Sequence, residues 1–135
     1  MRPNQEREGQ RWLMQAERDF DDAKFAATGK RHNLACFLAQ QAAEKAIKAY
    51  LYCRSEEQAW GHSVAELCAD AAAIDSEFAQ LKKEAASLDK YYIPTRYPNG
   101  LPGGIPSEVY QEEDAKHALG LAEKVIAFVK GKVGQ

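Results

Sequence analysis

Cysteines are few in this sequence, long apolar runs are absent and neither sign of charge dominates. The three cysteines, Cys36, Cys53 and Cys68, are odd in number and far apart, which suits a reducing cytoplasm better than a disulfide framework. No apolar stretch approaches the ~18 residues of a membrane span. The charged N-terminus, MRPNQEREGQRW, lacks the apolar segment of a signal peptide. We therefore expect a cytoplasmic protein with no membrane partner.

Charge and short motifs exclude several function classes. The formal net charge is −2 with both signs interspersed, so bulk charge does not predict nucleic-acid binding, although a local basic patch stays open. The sequence contains no glycine-rich phosphate loop, no Gly-x-Ser-x-Gly, no His-Glu-x-x-His and no Cys-x-x-Cys pair. His32 and Cys36 stand at i, i+4, but two ligands do not make a metal site. We predict no metal and no cofactor.

Helical periodicity is the main positive signal. Apolar residues recur at spacings of three and four, which indicates one buried face per helix, and no alternating strand pattern appears. The predicted helices cover about 8–27, 33–53, 62–73, 75–91 and 106 or 107 onward. The sequence predicts an all-α fold in a single domain over residues 1–135. Its architecture is an up-down antiparallel four-helix bundle with an additional short helix and a Pro-rich loop before the last helix.

Local signals predict where some helices begin and end. Gly29 is expected at the C′ position after the first helix. Ser63 is the candidate N-cap of the short helix, because Glu66 follows three residues later at the capping-box spacing. Residues 54–61 are predicted to form a loop. The later loop at 91–106 is longer than the roughly 2–8 residues of most helix connections, and a surplus loop is more often functional than idle.

That later loop reads YYIPTRYPNGLPGGIP and holds four of the five prolines. Prolines exclude a helix and stiffen the segment, because each fixes φ and lacks an N–H donor. Arg96 and Tyr97 are thereby held just after the fourth helix, whose last turn carries Asp89 and Tyr92. A nearby carboxylate can orient a guanidinium, and an arginine beside tyrosine rings suits a phosphate with a stacked base. The alternative is a structural clasp that ties the loop to the bundle.

The second helix carries a polar face within FLAQQAAEKAIKAYL. Gln41, Lys45 and Lys48 share this face at i, i+4 and i+7. Glu44 could pair with Lys48 on the surface. The two lysines either supply cations to a phosphate-bearing ligand or form a solvated helix edge. Gln41 lies close to the apolar stripe and could make a polar contact between helices or subunits.

Two residues before the short helix leave alternatives open. His62 could contact a phosphate or base at the helix N-terminus, or it could be a capping or loop-packing histidine. Trp60 could be a stacking surface or a packed lid. The candidate ligand-binding residues are therefore Lys45, Lys48, His62, Asp89, Tyr92, Arg96 and Tyr97.

The segments QQAAEKAIKAYL, HSVAEL and LDKYYIPTRYP, followed by a tyrosine at the head of the last helix, resemble the HEPN domain family. The likeness runs from Trp12 to the last helix and is greatest for the subgroup that carries Arg-Tyr-Pro. It implies a bundle of four to five helices, a homodimer and pairing with a minimal nucleotidyltransferase, often in a toxin–antitoxin module. Other members resemble nucleotide binders or metal-independent ribonucleases.

The ribonuclease branch of that family has its own motif, an arginine followed after four to six residues by a histidine. No arginine precedes His32, His62 or His117 at that distance. Arg54 precedes His62 by one residue too many. The chemistry needs a base, an acid and a cation that holds the phosphate. The chain therefore departs from the ribonuclease pattern, and we predict no catalytic residue.

Three functions stay open on this evidence. The first is a nucleotide- or RNA-phosphate-binding module, paired with a minimal nucleotidyltransferase, with Lys45, Lys48 and Arg96 as its basic pocket. The second is a metal-independent ribonuclease toxin with an atypical arrangement of Arg96, Tyr97 and His62. The third is a purely structural dimer that binds a partner through its helix faces. We expect the first.

Overall fold

The computed structural model describes residues 3–54 and 59–133, and all regular structure within them is helical. The helices are α1 Pro3–Thr28, α2 His32–Arg54, α3 Val64–Ala72, α4 Phe78–Ala85, α5 Pro106–Val109 and α6 Glu112–Lys132, with 3-10 turns at Ala86–Tyr91 and Pro98–Gly100. The all-α prediction is confirmed. Across the described ranges, no helix is both long and apolar enough to cross a membrane. Of the predicted loop at 54–61, residues 55–58 lie outside the described part of the chain.

Helix α2 is the centre of the bundle. It packs against α1, α6 and α3, and the 3-10 turn at 86–91 lies against it as well. Its buried alanines include Ala35, Ala39, Ala42, Ala46 and Ala49, whose short side chains let the neighbouring helices approach closely. The same close approach explains a glycine in α1, since a Cβ atom on Gly9 would come within 2.9 Å of the Ala49 carbonyl oxygen.

The end of α1 forms a Schellman motif. The Arg31 N–H donates to the Ala26 carbonyl at 2.9 Å, and the Lys30 N–H donates to the Ala27 carbonyl at 3.0 Å. The left-handed residue is Lys30, with φ 61°. The prediction of Gly29 at C′ is therefore wrong by one position, because α1 continues one residue beyond the predicted end.

The last two predicted helices also differ from the structure. The fourth is α-helical only over Phe78–Ala85 and tightens into a 3-10 turn through Tyr91. The last helix does not begin at 106 or 107, because α5 ends and the backbone becomes extended at Tyr110 and Gln111. Gln111 and Asp114 form a reciprocal capping box there, which starts α6 anew.

Candidate functional site

The proline loop places Arg96 among aromatic rings. Its guanidinium carbon lies 4.4 Å from the ring centroid of Phe37, 4.8 Å from that of Tyr92 and 5.1 Å from that of Tyr97. Its Nε donates to the Tyr92 carbonyl at 2.9 Å. Cation–π contacts of this kind contribute about 0.5–1 kcal/mol each at exposed sites. We call Phe37, His62, Tyr92, Arg96 and Tyr97 the Arg96 cluster.

The loop is anchored beside α2 by a buried threonine. Thr95 Oγ1 donates to the Tyr91 carbonyl at 2.5 Å, and the Thr95 carbonyl accepts from Asn33 Nδ2 at 3.1 Å. Asn33 stands in the first turn of α2, one turn before Phe37. These two hydrogen bonds fix the loop at Thr95 and place Arg96 against the start of α2.

Arg96 carries a positive charge without an acidic partner. In the described ranges no ion pair reaches its guanidinium, and the predicted contact with Asp89 is not formed. The side chain is exposed. Its hydrogen bond to the Tyr92 carbonyl uses Nε, and no hydrogen bond found in the described ranges uses either Nη group. Such a fork can bind a phosphate with two parallel hydrogen bonds.

Asp89 instead caps α3. Its carboxylate accepts from Ser63 Oγ at 2.7 Å, from the Val64 N–H at 2.6 Å and from the Ala65 N–H at 3.2 Å. Ser63 Oγ accepts in turn from the Glu66 N–H at 3.0 Å, which confirms the predicted N-cap. The free N–H groups of this helix start are therefore already occupied by a carboxylate, and an external anion has no place there.

His62 is held by α2 at two atoms. Its carbonyl accepts from Gln40 Nε2 at 2.8 Å, and its Nδ1 lies 3.2 Å from Glu44 Oε2. Its ring stacks on Tyr92 with centroids 4.9 Å apart and planes 19° from parallel. An ionised carboxylate only accepts, so this contact favours the tautomer of a neutral ring that carries its proton on Nδ1 and a lone pair on Nε2. The imidazole is 57% exposed, so it joins the Arg96 cluster as an accessible group.

The buried Glu44 carboxylate contacts three side chains that can donate hydrogen bonds. It accepts from Lys48 Nζ at 2.9 Å and from Gln41 Nε2 at 3.2 Å, in addition to the contact with His62. The Glu44–Lys48 pair was predicted, but on the surface. The structure places it inside, with Glu44 3% and Lys48 6% exposed. Gln41 bonds to Glu44 and Gln40 on its own helix rather than to another helix.

The two candidate lysines do not extend the cluster. Lys48 is paired with Glu44, and its amine also lies 5.6 Å from the ring centroid of Trp12. Lys45 is paired with Asp19 of α1 at 2.5 Å. Both charges are thus compensated by carboxylates, and of the three candidate cations only Arg96 has no acidic partner in the described ranges.

The thiols of Cys36 and Cys68 and the ring of Tyr91 lie in the interior. Burial raises the pKa of the Cys36 and Cys68 thiols to about 12, so neither is a thiolate nucleophile at neutral pH. Burial also raises the pKa of Tyr91 well above its ordinary value, and its hydroxyl lies 3.0 Å from His117 Nδ1. No cluster of metal-ligating side chains occurs in the ranges that the structure describes.

The residues that sequence reasoning missed are those that only tertiary contacts reveal. Phe37 was not among the candidate residues, yet its ring lies against the guanidinium of Arg96. Glu44 and Gln40 position His62 from 18 and 22 residues away. Gln40, Gln41 and Glu44 lie beside the apolar residues of α2. They were the signal in the sequence for this contact, since buried polar groups need partners.

The all-helical fold is that of an HEPN domain. The HEPN domain matches residues 10–132, and the chain belongs to that family. No protein with a curated description matches the chain.

Solved structures give the same result. TT1696 from Thermus thermophilus is 39% identical, with a TM-score of 0.80 and coverage of 92% of this chain and 97% of that one. ST0689, described as an archaeal HEPN homologue, is 38% identical, with a TM-score of 0.77 over 93% and 97% of the two chains. An HEPN domain protein of Thermotoga maritima is 29% identical, with a TM-score of 0.71 over 93% and 98%.

Proposed function

We propose that this HEPN protein binds a phosphate group of a nucleotide or RNA at the Arg96 cluster. The observation that carries the proposal is the Arg96 guanidinium itself. It contacts three aromatic rings, is exposed and has no acidic partner in the described chain. A planar fork of this kind recognises phosphate oxygens in pairs.

The surroundings restrict where the phosphate binds. The N-terminus of α3 is capped by Asp89, and the amines of Lys45 and Lys48 face carboxylates. An anion is therefore stabilised most beside Arg96, where His62 is the neighbouring polar group. We retain Tyr92 and Tyr97 as contacts, whereas Asp89 supports the site by holding α3 in place.

We further propose that the protein forms a homodimer and pairs with a minimal nucleotidyltransferase in the cytoplasm, as part of a toxin–antitoxin-like system. An apolar groove at the α1–α2 hairpin supports a protein interface. It has a volume of about 490 Å³ and is lined in part by Phe25, Leu34 and Leu38. Phe25 is 80% exposed, and exposed apolar patches commonly mark protein contacts.

Substitution of Arg96 tests the phosphate site. We expect ATP, GTP or a short RNA to raise the melting temperature of the native protein, because ligand stabilisation follows RT ln(1 + [L]/Kd). Arg96→Ala is expected to weaken binding at least about tenfold, since it removes a charge-assisted contact of roughly 1.5–3 kcal/mol. Calorimetric titration measures the affinity directly.

Two matched variants sharpen this experiment. Arg96→Lys keeps the charge but loses the planar fork, and should bind more weakly than the native protein. Lys45→Ala removes a cation that Asp19 already compensates, and should bind nearly as the native protein does. Absence of a shift with every ligand, together with early melting of Arg96→Ala, would make the loop a structural clasp.

A second candidate function is metal-independent RNA cleavage, favoured by the Glu44–His62 contact. A carboxylate that holds Nδ1 leaves Nε2 free to accept a proton, which is the arrangement of a general base. Single-stranded RNA incubated with the protein in EDTA should then be cleaved, and His62→Ala should lose about 10²–10⁴-fold in rate. Intact RNA after incubation with the native protein would eliminate this function and leave phosphate binding.

A further inference from the structure

Trp60 presents a large apolar ring to solvent close to the Arg96 cluster. It is 78% exposed, so it is not the packed lid that the sequence left as one alternative. An indole buries about 150–250 Å² when it is packed, and leaving that area in water forfeits a substantial apolar stabilisation. A tryptophan this exposed would be stabilised by a binding partner that buries its ring.

The backbone on the C-terminal side of Trp60 is fixed. Two residues later His62 is held by Gln40 and Glu44, and Ser63 is held by Asp89. On the other side, Ala59 packs against the core. Gly61 adopts φ 90°, a conformation that side chains rarely permit, and it provides the turn from which Trp60 projects.

Trp60 lies within reach of a ligand at Arg96. Adjacent Cα atoms are about 3.8 Å apart, so the Cα of Trp60 is no more than about 7.6 Å from that of His62. The His62 ring lies 4.9 Å from the Tyr92 centroid, and the Arg96 guanidinium lies 4.8 Å from the same centroid. A nucleotide is long enough to place its phosphate at Arg96 and its base beside Trp60.

The rings of the Arg96 cluster contact the guanidinium or one another, unlike the ring of Trp60. Phe37 and Tyr92 contact the guanidinium, and Tyr92 also carries the His62 ring. Tyr97 is half exposed but contacts the guanidinium too. Trp60 makes none of the ring or cation contacts found in the described chain, and 78% of it is exposed.

We infer that Trp60 is a base-stacking residue of the Arg96 site, an inference that rests on the proposed function. The ligand class is then a nucleotide whose base can leave its stack, either a mononucleotide or single-stranded nucleic acid. A sugar phosphate or inorganic phosphate would engage Arg96 alone. Bases inside a duplex are stacked on each other and cannot reach the indole.

Titration of four probes separates the two parts of the site. The probes are ribose 5-phosphate, AMP, a single-stranded RNA hexamer and the same hexamer in a duplex. We expect Trp60→Ala to lower the affinity for AMP and for the single-stranded hexamer by about 5- to 150-fold, the range that stacking on one aromatic ring supplies. Ribose 5-phosphate should bind the variant as it binds the native protein. Arg96→Ala should lower the affinity for AMP, for the single-stranded hexamer and for ribose 5-phosphate.

Trp60→Phe is the matched control because it retains a ring and should recover most of the affinity for AMP. It also leaves Trp12 as the single tryptophan of the chain. We expect AMP to quench the tryptophan fluorescence of the native protein and to leave that of Trp60→Phe unchanged. The exposed position of Trp60 means that both variants should melt at the native temperature. Tighter binding of the hexamer than of AMP assigns the ligand to single-stranded nucleic acid, and equal affinity assigns it to mononucleotides.

Two results would overturn the inference. If Trp60→Ala binds AMP and the hexamer as tightly as the native protein while Arg96→Ala does not, the phosphate site stands and Trp60 is not part of it. If the native protein binds ribose 5-phosphate as tightly as AMP, the site does not recognise a base. Absence of binding by all four probes overturns both the inference and the proposed function.

Discussion

Glu44→Ala is expected to lower the free energy of unfolding by about 3–5 kcal/mol, the usual loss when one partner of a buried ion pair is removed. Lys48 would keep an ammonium group that is 6% exposed and has lost its carboxylate. Gln41 and His62 would lose an acceptor in the same step. Equilibrium unfolding in urea measures the change, provided that the m-value stays constant.

The matched control removes both charges of the pair. Glu44→Leu combined with Lys48→Met replaces them with apolar side chains of similar length, and such replacements are often neutral or stabilising. The double variant should therefore be more stable than Glu44→Ala by at least about 2 kcal/mol. A double variant as unstable as the single one would show that Glu44 acts through His62 and Gln41 rather than through Lys48.

Asp89→Ala is expected to lower the free energy of unfolding by about 2–4 kcal/mol, because a carboxylate acceptor for three donors is lost at the start of α3. Two of those donors are the backbone N–H groups of Val64 and Ala65. They belong to the orphan groups of a helix N-terminus, which need an acceptor when they are sheltered from water. Thermal unfolding followed by circular dichroism reports the change.

Ser63→Ala provides the comparison for Asp89. It removes one side-chain cap and the hydroxyl that donates to Asp89, and it should cost only about 1 kcal/mol. Asp89→Asn should fall between the two, because the amide retains one acceptor oxygen but loses the charge. If Asp89→Ala is no less stable than Ser63→Ala, the Asp89 carboxylate is not the main group that stabilises the N-terminus of α3.

The local part of this protein could be predicted from its sequence. Apolar spacing of three and four residues placed the long helices because burial of one face follows the helical period. Ser63 was identified as an N-cap because its role depends on a neighbour three residues away. Arg96 was identified beside Tyr92 and Tyr97 because all three lie within six residues of the chain.

Errors arose where neighbouring signals competed. Gly29 looked like the left-handed residue after α1, but the helix continues one residue farther and Lys30 adopts that conformation. A break inside the predicted last helix was missed because Gln111, the N-cap residue of α6, is not one of the residue types that favour this position. Together with Asp114 it forms a capping box that starts α6.

By itself, the sequence determined the helical class, the main helix positions and a stiff loop that presents an arginine among tyrosines. These features depend on contacts within a few residues. Only the tertiary structure decided which charges face solvent. Lys48 is buried with Glu44, Lys45 is paired with a residue 26 positions away, and Arg96 is left without an acidic partner in the described chain. The physical reason is that desolvation and pairing depend on which helices meet, and side-chain spacing along one helix does not contain that information.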